Sequence, residues 1–228
     1  MKVVAVIQAR MGSTRLRGKS LMKLSNFTLL ETVIRSIKRN DFIDDFVVAT
    51  SNLPEDDEIE ELCNVNRFKL YRGDSDNVLS RFIAVAETLD SEDTLVRVTA
   101  DNPINNTNAT KEVFQHHVAN KNDYTYIKGL SHTVYEFINV KALLSLSLIE
   151  DLTADDREHV TKYIRERSEL FKISEISPNS LGIKTDLDKL LTVDTKEDYQ
   201  RFMSIKYKID LDNTIDMSVL YKLMLSKY

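Results

Sequence analysis

The sequence has few cysteine, glycine and proline residues and no long apolar run. Cys63 is the only cysteine among 228 residues, which excludes an intrachain disulfide and a zinc site built from cysteines. No apolar run reaches the roughly 18 residues of a bilayer-spanning helix, and the apolar N-terminal stretch is too short for a signal peptide. We therefore expect a cytoplasmic protein with no membrane partner.

An excess of basic residues is also missing. The formal net charge is −5 and the pI is about 5.5, which argues against a broad nucleic-acid-binding surface but allows a local cationic pocket. Hydrophobic residues make up 42% of the chain, enough for a substantial core. No internal repeat, low-complexity stretch or linker divides the sequence, so we expect a single domain over residues 1–228 and no nucleic-acid partner.

Strands and helices alternate through the first hundred residues. Short β-branched runs predict buried strands at residues 3–8, 46–50, 68–71 and 94–99. Helices are predicted at residues 29–39, from Pro54 onwards with an acidic first turn, and at residues 78–89. This order indicates an α/β fold with a mainly parallel sheet, in which ligands bind beyond the carboxyl ends of the strands.

The second half is less regular. Its patterns predict strands at residues 124–127, 133–139, 171–176 and 191–193. They predict helices at residues 108–118, 140–150, 155–168 and 195–207. An amphipathic C-terminal helix at about residues 216–226 could pack on the domain or on a partner.

A cationic loop follows the first predicted strand directly. Residues 9–19 read ARMGSTRLRGK, in which four cations are interspersed with two glycines and two hydroxyls. Glycine lets backbone N–H groups approach a phosphate, and arginine or lysine balances its charge. The spacing of Gly12 and Gly18 fails the Walker A pattern, and GxGxxG is absent, which counts against an oxidoreductase on a Rossmann-like sheet. A solvated basic loop is the alternative to a triphosphate site.

The segment QARMGSTRLRGK resembles the signature of the cytidylyltransferases, the family that includes the acylneuraminate and 3-deoxy-manno-octulosonate enzymes. It is most similar to a branch named after a spore coat polysaccharide biosynthesis protein, in which proline usually stands where this chain has Arg17. The resemblance implies a three-layer, Rossmann-like nucleotide-diphospho-sugar transferase fold with a mainly parallel mixed sheet. It also implies a small β-rich protrusion at about residues 124–180, which could be the contact of a homodimer.

Two further segments each place an aspartate after a predicted strand. RVTADNPI carries Asp101 and LTVDTKED carries Asp194. Mg²⁺ is usually held by one or two carboxylates together with phosphate oxygens and water. Similar segments carry the metal ligands of the family, so the resemblance implies Mg²⁺ at both aspartates. Asp194 also fits a helix N-cap with Glu197 three residues later, and the two roles could coexist.

The resemblance implies roles for further residues. The catalytic residues are Arg10, Lys19 and Asp101. The nucleotide is bound by Gln8, Ala9, Arg10, Gly12, Ser13, Arg15, Lys19, Arg72, Thr99 and Asp101. The acceptor is expected to lie near Arg157 and His159, which belong to the segment DREHVT, and near Glu136, which belongs to YEF. Arg81 either reaches a phosphate or forms a structural ion pair. Two departures from the family pattern are Asn102, where cysteine is common, and Asn105, where aspartate is frequent.

The activity implied is Mg²⁺-dependent transfer of CMP from CTP to a small anionic acceptor, with release of pyrophosphate. The acceptor is a sugar acid, a phosphonate or a phosphorylated small metabolite of surface polysaccharide biosynthesis. The residues leave open the use of UTP or GTP, and also a non-catalytic nucleotide-binding protein.

Overall fold

The computed structural model of the chain describes residues 1–181 and 188–211. Its strands are β1 Val3–Gln8, β2 Asp45–Ser51, β3 Leu70–Gly73, β4 Thr94–Thr99, β5 Tyr124–Ile127, β6 Glu136–Asn139 and β7 Ile173–Ile176. They form one sheet in the order β3-β2-β1-β4-β6-β5-β7. β1 pairs in parallel with β2 and β4, β2 with β3, and β5 with β7, whereas β6 is antiparallel to β4 and β5. The predicted α/β class with a mainly parallel mixed sheet is confirmed.

The α-helices are α1 Leu29–Ile37, α2 Asp57–Asn66, α3 Val78–Ala86, α4 Thr107–Asn120, α5 Val140–Ser145, α6 Ala154–Glu158, α7 Lys162–Arg165 and α8 Lys196–Leu211. Short 3-10 helices lie at Lys19–Leu21, Pro54–Asp56, Leu146–Leu148, Pro178–Leu181 and Asp188–Leu191. Across the described ranges, none of these helices has both the length and the apolarity that a bilayer crossing requires.

The side chains of β1 show that helices cover both faces of the sheet. Val3, Ala5 and Ile7 pack into one core with residues of α1, α2 and α4. Val4 and Val6 pack into a second core with residues of α3, α5 and α7. Because successive side chains of a strand point to opposite faces, the two cores lie on opposite sides of the sheet, and the fold has three layers.

Helix α1 begins where the sequence supplies its cap. Thr28 Oγ1 accepts a hydrogen bond from Glu31 N (3.2 Å), and the Glu31 carboxylate accepts one from Thr28 N (2.8 Å). This reciprocal pair is a capping box, which satisfies two backbone donors of the first turn. Leu30, Val33 and Ile37 then recur at helical spacing and are buried against the sheet.

Two predictions for the second half are wrong. Residues 155–168 do not form one helix, because Val160 adopts a φ of 48° and separates α6 from α7. Residues 191–193 do not form a strand, since Leu191 ends a 3-10 helix. The backbone of that segment is attached instead by one hydrogen bond from Val193 N to the carbonyl of Asp101 (2.9 Å).

The segment predicted as a β-rich protrusion, about residues 124–180, extends the main sheet. β6 pairs with β4, β5 with β6, and β7 with β5, while α5, α6 and α7 lie between β6 and β7 in the chain. The strands therefore continue the sheet beyond β4 instead of forming a separate unit. The helix predicted at about residues 216–226 lies outside the described residues, as does the C-terminal end of the predicted single domain.

A neutral histidine lies in the core between α4 and the sheet. His117 is 3% exposed, and its Nδ1 lies 2.9 Å from Thr125 Oγ1. Burial, and to a smaller extent the neighbouring His116, lowers the pKa of His117 to about 4. The unfolded chain takes up this proton near the ordinary histidine pKa of about 6.5.

We predict that the free energy of unfolding falls as the pH drops from about 6.5 towards about 4, because the unfolded state binds a proton that the folded core rejects. Above this range the contribution is fully present. His117→Asn should flatten the slope, as measured by chemical denaturation across the range. His116→Asn, a change at an exposed neighbour, serves as the control. Equal slopes for the wild type and His117→Asn would contradict the prediction.

Candidate active site

A cleft of about 560 Å³ opens at the carboxyl ends of β1 and β4. β2 lies on one side of β1 and β4 on the other, so the cleft is at the point where the strand order reverses. Open α/β sheets bind their ligands at this position. The cleft is lined by residues of the 9–19 loop, of the connection after β4, and of the segments 131–136 and 158–165.

The 9–19 loop is folded back on itself by its own backbone. The carbonyl of Met11 accepts hydrogen bonds from Ser13 N and Gly18 N, both at 2.9 Å. Gly18 has a φ of 72°, a conformation that favours glycine, and it begins the 3-10 helix that carries Lys19. The turn at Gly18 therefore directs Lys19 back towards the end of β1.

A buried aspartate anchors the loop to the sheet. Asp56 Oδ1 accepts from Met11 N (2.7 Å), while Oδ2 accepts from Thr50 Oγ1 and Ser51 N, both at 2.9 Å. The side chain is fully buried. The sequence shows Asp56 only as part of an acidic first helical turn, so its role was not predicted. Hydrogen bonds to a buried carboxylate are strong, and the loop position depends on them.

The centre of the cleft contains one cation between two carboxylates. Lys19 Nζ lies 2.7 Å from Asp101 Oδ2 and 2.8 Å from Asp194 Oδ1, and Arg15 pairs with the other oxygen of Asp194 (3.1 Å). Burial alone would raise the pKa of the Asp101 carboxyl. The Lys19 ammonium and the Thr99 hydroxyl outweigh burial and hold that pKa below its usual value. Asp101 is therefore ionised at neutral pH.

Asp194 reaches this centre through contacts of its neighbours. The carbonyl of Asp101 accepts from Val193 N, and Val193 is buried in a small cluster with Leu24, Leu29, Ile104, Leu191 and Phe202. The alternative N-cap, Asp194 with Glu197, does not form. Thr195 caps α8 instead: the Asp198 carboxylate accepts from Thr195 N (2.8 Å), and Thr195 Oγ1 accepts from Asp198 N (3.2 Å). The Asp194 carboxylate is thereby left to face the cleft.

The donor set of the centre fits a divalent cation. Asp101 and Asp194 each direct one oxygen at the same ammonium, so both oxygens converge on a single cationic position. Within residues 1–181 and 188–211, no cluster of three or more His, Cys, Asp or Glu side chains could hold a metal. Two carboxylates are nevertheless the usual protein share of a Mg²⁺ site, in which phosphate oxygens and water complete the shell.

The structure brings most of the predicted site residues together. The predicted residues that line the cleft are Gln8, Ala9, Arg10, Ser13, Arg15, Lys19, Thr99, Asp101, Glu136, His159 and Asp194. Arg10 is exposed there and makes no ion pair with any described residue. A free guanidinium at this position is available to an anionic ligand.

Three predicted site residues do not line the cleft. Arg72 donates to the carbonyls of Ser51 (3.0 Å) and Leu53 (2.9 Å) and is paired with acidic residues of α2, so it fastens β3 to the segment after β2. Arg157 donates to the carbonyl of Leu152 and lines a separate hollow beside α3. Gly12 packs against the Glu55 carboxylate, which would have to shift to admit a Cβ.

Arg17, at the position where the family usually has proline, pairs with Glu55 (3.3 Å) and is largely exposed. Asn105, where aspartate is frequent, donates its amide to Thr110 Oγ1 (2.7 Å) and to the carbonyl of Thr133 (3.0 Å). A carboxylate could not donate to that carbonyl. Asn105 is therefore a buried structural residue of the segment after β4, and Arg17 is an outer contact of the loop.

Other charged and polar residues of the cleft were not assigned a site role from the sequence. Arg97 and Arg165 line it, as does Asn102, whose buried Oδ1 has no hydrogen-bond partner in the described part of the chain. Arg81 is 2% exposed, donates to the carbonyl of Ala49 (3.3 Å), and forms no ion pair with any described residue. The structural ion pair considered for Arg81 is thus not present. A strand with a polar i, i+2 pair, such as Arg97 and Thr99, is the sequence signal that could have indicated Arg97.

The fold has three layers, and its cationic loop and the carboxylates of Asp101 and Asp194 meet where the strand order of the sheet reverses. These features define a nucleotidyltransferase. More particularly, the chain belongs to the cytidylyltransferase family, whose model matches residues 4–225. The recognition made from the N-terminal segment is therefore confirmed.

Similar proteins extend over nearly the whole chain. The chain is 34% identical over 217 residues to an uncharacterised protein of Methanocaldococcus jannaschii, covering 93% of this chain and 86% of that protein. It is 34% identical over 212 residues to the spore coat polysaccharide biosynthesis protein SpsF of Bacillus subtilis, covering 90% and 87%. The structure of a cytidylyltransferase from Leptospira borgpetersenii is similar with a TM-score of 0.85 at 28% identity, covering 100% and 95%.

We predict that Asp56→Asn lowers the free energy of unfolding by about 2 kcal/mol or more, because an amide nitrogen replaces an acceptor oxygen opposite buried donors. Urea denaturation measures this loss. Glu58→Gln, which removes an exposed carboxylate two residues further along the chain, is the matched control and should change stability by less than about 0.5 kcal/mol. A similarly small change for Asp56→Asn would show that the loop does not depend on this anchor.

A second prediction concerns the ammonium between the carboxylates. Lys19→Met should tighten Mn²⁺ binding to the nucleotide-free protein by about tenfold or more, because the two carboxylates lose their neutralising cation. Titration followed by the electron paramagnetic resonance of free Mn²⁺ measures the Kd. Lys23→Met, at an exposed lysine of the following segment, should leave the Kd unchanged. An unaltered Kd for Lys19→Met would argue against a metal at this position.

Proposed function

We propose that the protein transfers CMP from CTP to a small anionic acceptor and releases pyrophosphate, with Mg²⁺ bound at Asp101 and Asp194. The observation that carries the proposal is the convergence of both carboxylates on one cationic position beneath the 9–19 loop. The membership of the cytidylyltransferase family supports CTP as the nucleotide.

The nucleotide binds on the loop side of the cleft. Arg10 and Arg15 balance the charge of the triphosphate, and the backbone N–H groups and hydroxyls of the loop donate hydrogen bonds to it. Arg81, whose buried Nε has no hydrogen-bond partner among the described residues, is a further donor on this side. Because the backbone that carries Arg10 and Arg15 is closed by internal hydrogen bonds, the loop needs little reorganisation when the ligand binds.

The reaction is a direct displacement at phosphorus. An oxygen of the acceptor attacks the α-phosphorus of CTP, a new P–O bond forms, and the bond to the leaving pyrophosphate breaks. The protein positions both reactants and balances charge, and Lys19 supplies a cation for the developing negative charge. A metal at Asp101 and Asp194 would act as a Lewis acid and a template when bound. No covalent intermediate with the protein is needed.

The acceptor is a sugar acid, a phosphonate or a phosphorylated small metabolite. It binds on the side of the cleft formed by β4, β6 and the segment 158–165, which contributes Glu136 and His159. The similarity to the spore coat polysaccharide protein supports a place in surface polysaccharide biosynthesis.

Pyrophosphate release tests the proposal. The protein is incubated with Mg²⁺, each of the four ribonucleoside triphosphates in turn, and a panel of sugar acids, phosphonates and phosphorylated metabolites. Release with CTP and one class of acceptor is expected. Release with UTP or GTP in place of CTP would correct the base specificity. Calorimetry without measurable CTP binding would refute the proposal.

We predict that Asp101→Asn lowers kcat by about hundredfold or more, because one charge of the proposed metal site is lost. The variant should still bind CTP, since the loop cations are intact. Asp41→Asn, at a carboxylate that is 77% exposed and paired only with the surface residue Lys111, is the control and should keep full activity. Turnover near that of the wild type in Asp101→Asn would exclude the assigned role.

A further inference from the structure

The two carboxylates at the centre of the cleft are held by different means. Asp101 follows β4 closely, whereas Asp194 belongs to a segment outside the sheet, between the 3-10 helix Asp188–Leu191 and α8. Val193 N donates to the carbonyl of Asp101 (2.9 Å), and the Thr192 hydroxyl donates to the same carbonyl (3.4 Å). The ligands of a metal site must be held to within about 0.5 Å of their working positions. A segment without the hydrogen bonds of a sheet therefore needs further attachments.

A buried carboxylate attaches the beginning of this segment to another part of the chain. Asp188 is 2% exposed and makes no ion pair with any described residue. Its Oδ1 accepts a hydrogen bond from Thr133 Oγ1 (2.7 Å), and its Oδ2 accepts one from His132 N (3.1 Å). Burial raises the pKa of the Asp188 carboxyl, and these two donors offset part of that rise. Because a buried carboxylate without a cation is costly, its presence here depends on these hydrogen bonds.

Thr133 connects Asp188 to the residues that follow β4. Thr133 is 1% exposed, its hydroxyl donates to Asp188, and its carbonyl accepts from Asn106 N (2.7 Å). Asn106 lies between Asp101 and the first residue of α4. Hydrogen bonds and short pieces of chain therefore close a ring. The ring runs through Asp101, Asn106, Thr133, Asp188 and Val193, and returns to the carbonyl of Asp101.

The ring fixes the two carboxylates relative to each other. It contains the backbone of Asp101 and ends at Val193, one residue before Asp194. Leu191 and Val193 are fully buried in one apolar cluster, which packs the segment on the side chains of its neighbours. Asp188 does not line the cleft, so it acts through Asp194 and not on a ligand.

We propose that Asp188 is a positioning residue that sets the affinity of the metal site, because it holds the Asp194 segment beside Asp101. This inference rests on the proposed function, in which both carboxylates bind Mg²⁺. Groups outside the ligand set commonly change metal affinity by about tenfold to hundredfold without touching the metal. An asparagine at position 188 would turn an NH2 group towards one of the two donors, so the ring requires a carboxylate there.

The Mn²⁺ affinity of the nucleotide-free protein tests the proposal, with the electron paramagnetic resonance of free Mn²⁺ as the readout. Asp188→Asn keeps the size of the side chain and should raise the Kd about tenfold, because the Asp194 segment loses its attachment to Thr133 and His132. Thr133→Val removes one hydroxyl and leaves the carboxylate in place, so the Kd should rise by a smaller factor, about threefold. A wild-type Kd in both variants would overturn the inference.

A double variant tests whether the two side chains act through the same hydrogen bond. If they do, Asp188→Asn combined with Thr133→Val binds Mn²⁺ about as weakly as Asp188→Asn alone. A Kd raised by the product of the two single effects would show that the residues act independently, which would contradict the ring.

Two control variants separate positioning from a loss of charge or of stability. Glu197→Gln removes an exposed carboxylate from the first turn of α8, and Leu143→Ala removes a buried side chain of α5 that does not line the cleft. Neither should change the Kd for Mn²⁺, although Leu143→Ala lowers the free energy of unfolding in urea. A Kd that rises in Leu143→Ala as much as in Asp188→Asn would show that affinity follows stability alone, and would overturn the inference.

The positioning role and the proposed function fail in different ways. Asp194→Asn reports whether Mn²⁺ binds at the two carboxylates, and pyrophosphate release tests the cytidylyl transfer independently. A Kd in Asp194→Asn equal to that of the wild type would refute the metal site and the positioning role together. A weaker affinity in Asp194→Asn, with an unchanged Kd in Asp188→Asn, would refute only the positioning role.

Discussion

The attraction between the Lys19 ammonium and two carboxylates is the interaction on which the site depends. The backbone bond from Val193 to Asp101 brings both acidic segments together, and the resulting repulsion between Asp101 and Asp194 would be costly without a cation between them. Two segments that lie 82 and 175 residues beyond Lys19 in the chain are thereby fixed to the segment that carries Lys19. The fold can hold Asp101 and Asp194 close together because Lys19 supplies the positive charge that a bound metal would otherwise provide.

The buried carboxylate of Asp56 supports the cationic loop from the side of the sheet. Asp56 accepts the Met11 N–H and two donors from the end of β2, so the loop is held against the sheet by a buried negative charge. The face towards the cleft keeps its positive charge, because Arg10 makes no ion pair with any described residue. The loop is thus held in place by a buried carboxylate at its back, and Arg10 takes no part in that attachment.

A structural feature could be predicted from this sequence when its signal lies in neighbouring residues, and was missed when it depends on distant ones. β1, β4 and β5 have the predicted bounds because their short runs are rich in β-branched and aromatic residues, which favour strands. Asp101 was found because it follows such a strand. The break at Val160 was missed, since it depends on the contact between Thr161 and Glu136, which lies 25 residues away. Asp56 was missed because a buried carboxylate and an exposed acid of a first helical turn look alike in sequence.

The distribution of charge over the cleft divides it into two functional halves. On the side of the 9–19 loop, Arg10 has no ion-pair partner among the described residues and adds a net positive charge. On the side of β4 and β6, Arg97 is neutralised by Glu136. The field of the cleft is therefore uneven: an anion gains more from the loop side, where the charge is uncompensated, than from the β4 and β6 side, where each charge already has a partner.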